Sequence, residues 1–155
     1  MADAFRAKVS TLADKTLVQL GGQLCEETQL PELKLNLPIH IDFNEITRIN
    51  SRGIKIWCQW IIQFKPPVRL HFEQCPAIVI KTFNLVKGCI PRIAEVDSFY
   101  VPLYSSQTSE RKDVLVKRGK EYVHATVRVP EQKDSKGNVM ELDVHESYWA
   151  FLLRT

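Results

Sequence analysis

The four cysteines, Cys25, Cys58, Cys75 and Cys89, contain no C-x-x-C pair, so neither a ribbon-type zinc site nor a dithiol redox motif follows from them. Neither G-x-G-x-x-G nor G-x-x-x-x-G-K-[ST] occurs, which removes the two glycine-rich phosphate cradles. No apolar run approaches the roughly 18 residues of a membrane span, and the opening MADAFRAKVSTLADK lacks the apolar core of a signal peptide. A cytoplasmic location without membrane insertion is therefore the expectation. Charge of one sign is also scarce in net: 21 Lys and Arg against 18 Asp and Glu leave +3, so nucleic acid is not an expected partner.

What is present suits a globular protein. The chain has 155 residues, 45% of them hydrophobic and 25% charged, enough to bury a core without staples. The widely spaced cysteines then read as reduced, small hydrophobes, with no disulfide and no metal site implied. His40, His71, His124 and His145 lie in no recognisable catalytic context, and Asp42, Glu45 and Glu73 lack a metal-ligand spacing. His40 and His71 alternate with apolar residues and read as solvent-facing or satisfied structural side chains. A non-enzymatic protein without cofactor is expected.

Hydrophobic periodicity orders the chain. Residues 5–11 and 16–20 read as two short strands joined at Ala13-Asp14-Lys15 and ended by Gly21-Gly22. QLCEETQLPELKLN is mixed, with room for a helical turn. LPIHIDF alternates Ile39, Ile41 and Phe43 against His40 and Asp42, the pattern of a half-buried strand. The stretch from Ser51 to Phe64 predicts a helix stopped by Pro66-Pro67. VRLHFEQC (68–75) predicts a strand, and Pro76 opens a helix running to Gly88. This order predicts an α/β layer with parallel central strands. Beyond Ala94, DSFYVPLY, KDVLVKRG, EYVHATVRVP and VMELDV read as β-rich segments, followed by the aromatic ending ESYWAFLL.

On the 51–64 helix, Ile54, Trp57, Cys58, Ile61 and Ile62 share a core-facing stripe. Ile56, Trp60 and Phe64 form a second stripe, leaving Arg52, Lys55, Gln59 and Gln63 as the polar strip. The chain's own ESYWAFLL is the expected cover of the second stripe, with a partner or a second copy of the chain as the alternatives. Ser51 stands where an N-cap is expected. A phosphate on its hydroxyl would be tolerated at a helix N-terminus while changing what the surface binds.

DFNEITRINSRGIKIW resembles the core motif of STAS domains, the family of sulphate transporters and anti-sigma-factor antagonists. Asp42 takes the place of the strand acid, Ile46 and Ile49 of apolar positions, Asn50 of the acid before the serine, Ser51 of the phosphorylated serine, Arg52 of a second serine and Gly53 of the glycine. The resemblance implies a STAS-like α/β sandwich over residues 1–103, a mixed sheet flanked by helices, with a β-rich hairpin or meander extension over 104–155. That extension resembles a zinc ribbon stripped of its cysteines, with Ser105 and Thr108 at thiolate positions; hydroxyls do not build a tetrahedral zinc site. Packing of Val114, Val116, Tyr122, Val127, Met140 and Leu142 is expected to hold it instead. The implied function is a protein-interaction adaptor that meets an anti-sigma factor or kinase-like signalling protein through Asp42, Asn50, Ser51, Arg52, Gly53, Lys55, Ile56, Gln59 and Trp60, switched at Ser51. The alternative is a sensor in which the sheet and extension enclose an apolar pocket for a lipid or nucleotide-like ligand. A homodimer through Ile56, Trp60 and Phe64 is a third use of the helix.

Overall fold

The computed structural model describes residues 3–154. Strands β1 (Arg6–Thr11) and β2 (Thr16–Leu24) pair antiparallel across a turn in which Leu12 N–H donates to Lys15 O. Strands β3 (Ile39–Ile49), β4 (Leu70–Glu73) and β5 (Ala94–Val96) follow in parallel, in the spatial order β1-β2-β3-β4-β5. Segment 25–38 links β2 to β3, helix α1 (Ser51–Ile61) links β3 to β4, and helix α2 (Ala77–Leu85) links β4 to β5. The protein is thus α/β with a mixed sheet, parallel at its centre as the sequence order predicts.

The alternation in β3 decides the layering. Ile39, Ile41 and Phe43 are buried, and so are Leu70 and Phe72 beside them. Phe43 meets Trp57 of α1 and Phe83 of α2 at ring-centroid distances of 5.3 and 5.9 Å. Both helices therefore cover one face of the sheet, as same-handed crossovers between parallel strands require. His40, Asp42, His71 and Glu73 alternate onto the opposite face.

Several boundaries differ from the sequence expectation. β2 continues through Gly21-Gly22 to Leu24, pairing with β3 across two register irregularities. Gly22 adopts φ +77, and a Cβ there would lie 2.0 Å from Ala4 O, so the glycines bend the strand rather than end it. β4 is confined to Leu70–Glu73. Pro76 precedes α2 as its N-cap, and α2 ends at Leu85, short of Gly88.

Helix α1 corrects four expectations. Its N-cap is Asn50, whose Oδ1 accepts Gly53 N–H at 2.8 Å, and Ser51 is the first helical residue. It ends at Ile61, because the chain then turns to seat Phe64 in the core, 4.9 Å from Trp60 between ring centroids. Ile62 is consequently 71% exposed and outside the core stripe. The second stripe is covered by segment 25–38, not by the C-terminal ending: the Trp60 indole N–H donates to Pro31 O at 2.9 Å, and Leu30 and Leu33 pack against the core. Phe64 is buried, and Ile56 and Trp60 are half-buried, Trp60 being held by Pro31.

The remaining chain forms β6 (Ser98–Tyr104), β7 (Arg111–Lys117), a small hairpin of β8 (Tyr122–Val123) and β9 (Thr126–Val127), and β10 (Glu141–Leu142). β6 lies between β10 and β7. EYVHATVRVP is therefore two short strands, with His124 turning between them at φ 57. The ending is a kinked 3₁₀ segment, Glu146–Arg154. It docks on α2, with Asn84 Nδ2 donating to Tyr148 O at 2.7 Å. Phe99 of β6 joins this layer, 5.1 Å from Phe151 and 5.2 Å from Tyr122 between ring centroids. One continuous apolar cluster runs from Val18 to Phe151.

Of the side chains expected to hold the extension, Val116, Tyr122 and Met140 are buried and Val114 and Val127 partly so, but Leu142 is 38% exposed. A polar knot supplies what packing does not. Buried Asp134 accepts from Ser105 Oγ at 2.6 Å, Thr108 Oγ1 at 3.2 Å and Asn138 Nδ2 at 3.0 Å, all at Oδ2. Its Oδ1 accepts the backbone N–H groups of Lys136 and Asn138. Ser105 and Thr108, the two positions that resemble lost thiolates, thus gather on a carboxylate.

Two outcomes follow. Gly53 presses on β2 so closely that a Cβ would lie 2.0 Å from Leu24 O. Gly53→Ala should destabilise the fold by about 3 kcal/mol, read by urea unfolding followed through tryptophan fluorescence. The hydroxyl of Ser105, first among several donors, holds the Asp134 carboxyl well below its ordinary range. An acid with a lowered folded pKa contributes stability that is complete above its unfolded pKa, near 4, and is lost as pH falls toward the folded value. Asp134→Asn should therefore lower the melting temperature at pH 7 and flatten its fall below about pH 4; an unchanged acid profile would deny the knot this role.

Candidate functional site

Two places on the molecule concentrate polar chemistry. The first is the β3–α1 corner. Asn50 N–H donates to Leu24 O at 3.1 Å, which ties the end of β3 to the end of β2, and Gly53 lets α1 begin directly against the same carbonyl. Asn50 Nδ2 donates to Glu26 Oε2 at 2.8 Å, and this hydrogen bond holds the Glu26 carboxyl below its usual range. The cap is therefore a three-part device of Asn50, Gly53 and Glu26. The Ser51 side chain takes no part in it and is exposed. Arg52, Lys55 and Gln59 continue from it as an exposed strip along α1, ending at Ile62.

The nine residues expected to form one interface are split by the fold. Asn50, Ser51, Arg52, Lys55 and Gln59 share the exposed corner and helix strip. Ile56 borders it, half-buried, and Trp60 is tied down by Pro31. Gly53 is buried against Leu24 and cannot be touched by a partner. Asp42 lies in the middle of β3 rather than at its end, on the sheet face turned away from α1. There it accepts from Asn44 N–H at 2.8 Å and Gln74 Nε2 at 3.0 Å, while burial, foremost, and nearby Glu73 and Glu45 raise its carboxyl pKa.

The second place is that open sheet face. His40 and His71 are direct neighbours in the β3–β4 register, and their rings stack at 4.4 Å with an interplanar angle of 12°. His40 Nδ1 meets Glu73 Oε1 at 2.5 Å, and His71 Nδ1 meets Asp97 Oδ2 at 2.9 Å. Each Nδ1 thus shares a hydrogen bond with a carboxylate oxygen. Arg118 grips the outer side of the array, 2.7 Å from Asp97 Oδ1 and 2.8 Å from Glu95 Oε2. All four of His40, His71, Glu73 and Asp97 are at most one quarter exposed. The expectation that the histidines are satisfied structural side chains matches their hydrogen bonding. What sequence reading missed is their mutual contact: H-I-D and H-F-E each carry the alternation, but only strand register puts the two rings together.

An open cleft of about 520 Å³ between sheet and extension is bounded by Glu73, Asp97, Lys117 and Arg118. Among the described residues no helix is long and apolar enough to cross a membrane. No protein-family model, curated protein or solved structure matches the chain. The class defined is accordingly that of the fold, a mixed α/β protein with a β-rich extension.

Because Asn50 caps α1 and Ser51 does not, the two neighbours should respond unequally. Asn50→Ala should cost about 1 kcal/mol, whereas Ser51→Ala should stay within about 0.5 kcal/mol of the parent; thermal or urea unfolding of both variants reads the contrast.

Proposed function

We propose that the chain is a non-enzymatic adaptor of the STAS type, which engages a signalling protein of the anti-sigma-factor or kinase class through the β3–α1 corner and the Arg52-Lys55-Gln59 strip, under control of phosphorylation at Ser51. The observation that carries this reading is the separation of roles at the corner: Asn50 Oδ1 takes the Gly53 N–H, leaving the Ser51 hydroxyl exposed and unused by the fold. The DFNEITRINSRGIKIW motif supports it, as does a sheet in which an antiparallel pair leads into parallel strands backed by helices on one face.

Electrostatics gives the switch its sign. α1 has no acidic residue in its first turn, and Arg52 and Lys55 line the strip. A phosphate on Ser51 adds nearly two negative charges at the helix N-terminus, where the helix itself tolerates them. A partner whose surface complements a basic strip then meets like charge at its edge.

Affinity capture from the native cell extract, run in parallel with wild type, Ser51→Ala and Ser51→Asp, tests the reading. One partner should be held by wild type and Ser51→Ala and lost at least tenfold by Ser51→Asp, with circular dichroism unchanged. A partner retained equally by all three variants would rule out the switch, and retention after charge reversal of Arg52 and Lys55 would rule out the surface.

A further inference from the structure

We infer that His40, His71 and Asp97 form a binding site for a divalent transition metal of the zinc class on the open face of the five-stranded sheet. One donor atom from each of the three lies within 4.8 Å of the other two. A tetrahedral ion with bonds of about 2.1 Å separates its ligands by about 3.4 Å, a closure within reach of small side-chain rotations. Glu73 Oε1, 2.5 Å from His40 Nδ1, is a hydrogen-bond partner that orients the His40 ring.

The surroundings supply what a metal site needs beyond its ligands. The Asp97 carboxylate is divided, Oδ1 being held by Arg118 at 2.7 Å while Oδ2 faces the imidazole of His71. Arg118 thus fixes the orientation of a ligand without occupying the ligand atom, as outer partners of metal-binding side chains do. Asp42, Glu73, Glu95 and Asp97 line this region, and Arg118 is the only guanidinium in ion-pair contact with any of the four among the described residues. A doubly charged ion corrects that excess locally in a chain whose net charge is otherwise positive. The donors rest on β3, β4 and the residue after β5, so strand pairing holds the two imidazoles side by side without help from an ion. The open cleft beside Glu73 and Asp97 gives the ion a path from solvent.

Donor chemistry selects the ion. Two imidazole nitrogens with one carboxylate suit Zn²⁺, Co²⁺, Ni²⁺ or Fe²⁺, whereas Ca²⁺ and Mg²⁺ prefer all-oxygen sets. On binding, an imidazole that ligates through Nδ1 carries its one proton on Nε2 and remains a neutral ligand. No oxidation or reduction is involved.

Full-length protein freed of metal by chelation, then titrated with Zn²⁺ by calorimetry and with Co²⁺ by visible absorption, tests the inference. The expected result is one ion per chain and ligand-field bands showing nitrogen and oxygen coordination. His40→Gln and His71→Gln should each weaken binding roughly 100-fold, Asp97→Asn should weaken it roughly tenfold, and His124→Ala with His145→Ala should leave it intact. Absence of saturable binding by wild type would overturn the site whatever the variants do. So would binding that survives His40→Gln and His71→Gln, or Co²⁺ spectra dominated by thiolate charge transfer, which would place the ion at the Cys58–Cys89 pair, 3.5 Å apart at sulfur.

Discussion

The pairing of β3 with β4, Ile39 to Leu70 and Ile41 to Phe72, is the constraint on which the rest depends. In that register one face of the two strands becomes a continuous apolar strip that α1 and α2 must cover, with Trp57, Phe72 and Phe83 closing around Phe43. The same register forces every polar alternate onto the other face, in adjacent pairs. A slip of one residue would turn one of the two strands over, burying His40 or His71 beneath the helices and leaving Phe43 or Phe72 in water. The hydrophobic layer and the histidine array are thus two results of a single alignment.

The extension is anchored by a different kind of order. Phe99 and Phe151 continue the core past β5, and the Tyr148 hydroxyl donates to Tyr100 O at 2.5 Å, so the ending and β6 are fixed together. Further out, where apolar side chains thin, the Asp134 knot ties the turn after β6 to the 134–138 turn. Ser135 adds a second link by hydrogen-bonding to Glu110. The architecture passes from packing to directed hydrogen bonds as the supply of hydrophobic residues runs out.

The sequence made some of this legible and concealed the rest for physical reasons. The alternation of Ile39, Ile41 and Phe43 and the stop signals around the helices were sufficient to order the parallel core. Segment 25–38 was opaque because its cover of Trp60 rests on a backbone carbonyl, that of Pro31, which has no residue signature. Asn50 and Ser51 are both good caps, and the choice is made by tertiary contact: only with Asn50 as the cap does Gly53 meet Leu24. Ser105, Thr108 and Asp134 are ordinary loop residues almost thirty positions apart, so nothing local announces their meeting. The stacked histidines were hidden in the same way, since pairing between strands thirty residues apart is invisible to periodicity.

The Asn50–Ser51 step also shapes what the protein can become. Where one residue both holds a helix and carries a chemical mark, every change to the mark is taxed by the scaffold, and few alternatives survive. Here the holding is done one position earlier, through Gly53 and Glu26. Position 51 is left as a place where hydroxyl, carboxylate or methyl can be exchanged with little consequence for folding. Such a position can drift, acquire a new recognition and lose it again while the domain around it stays the same.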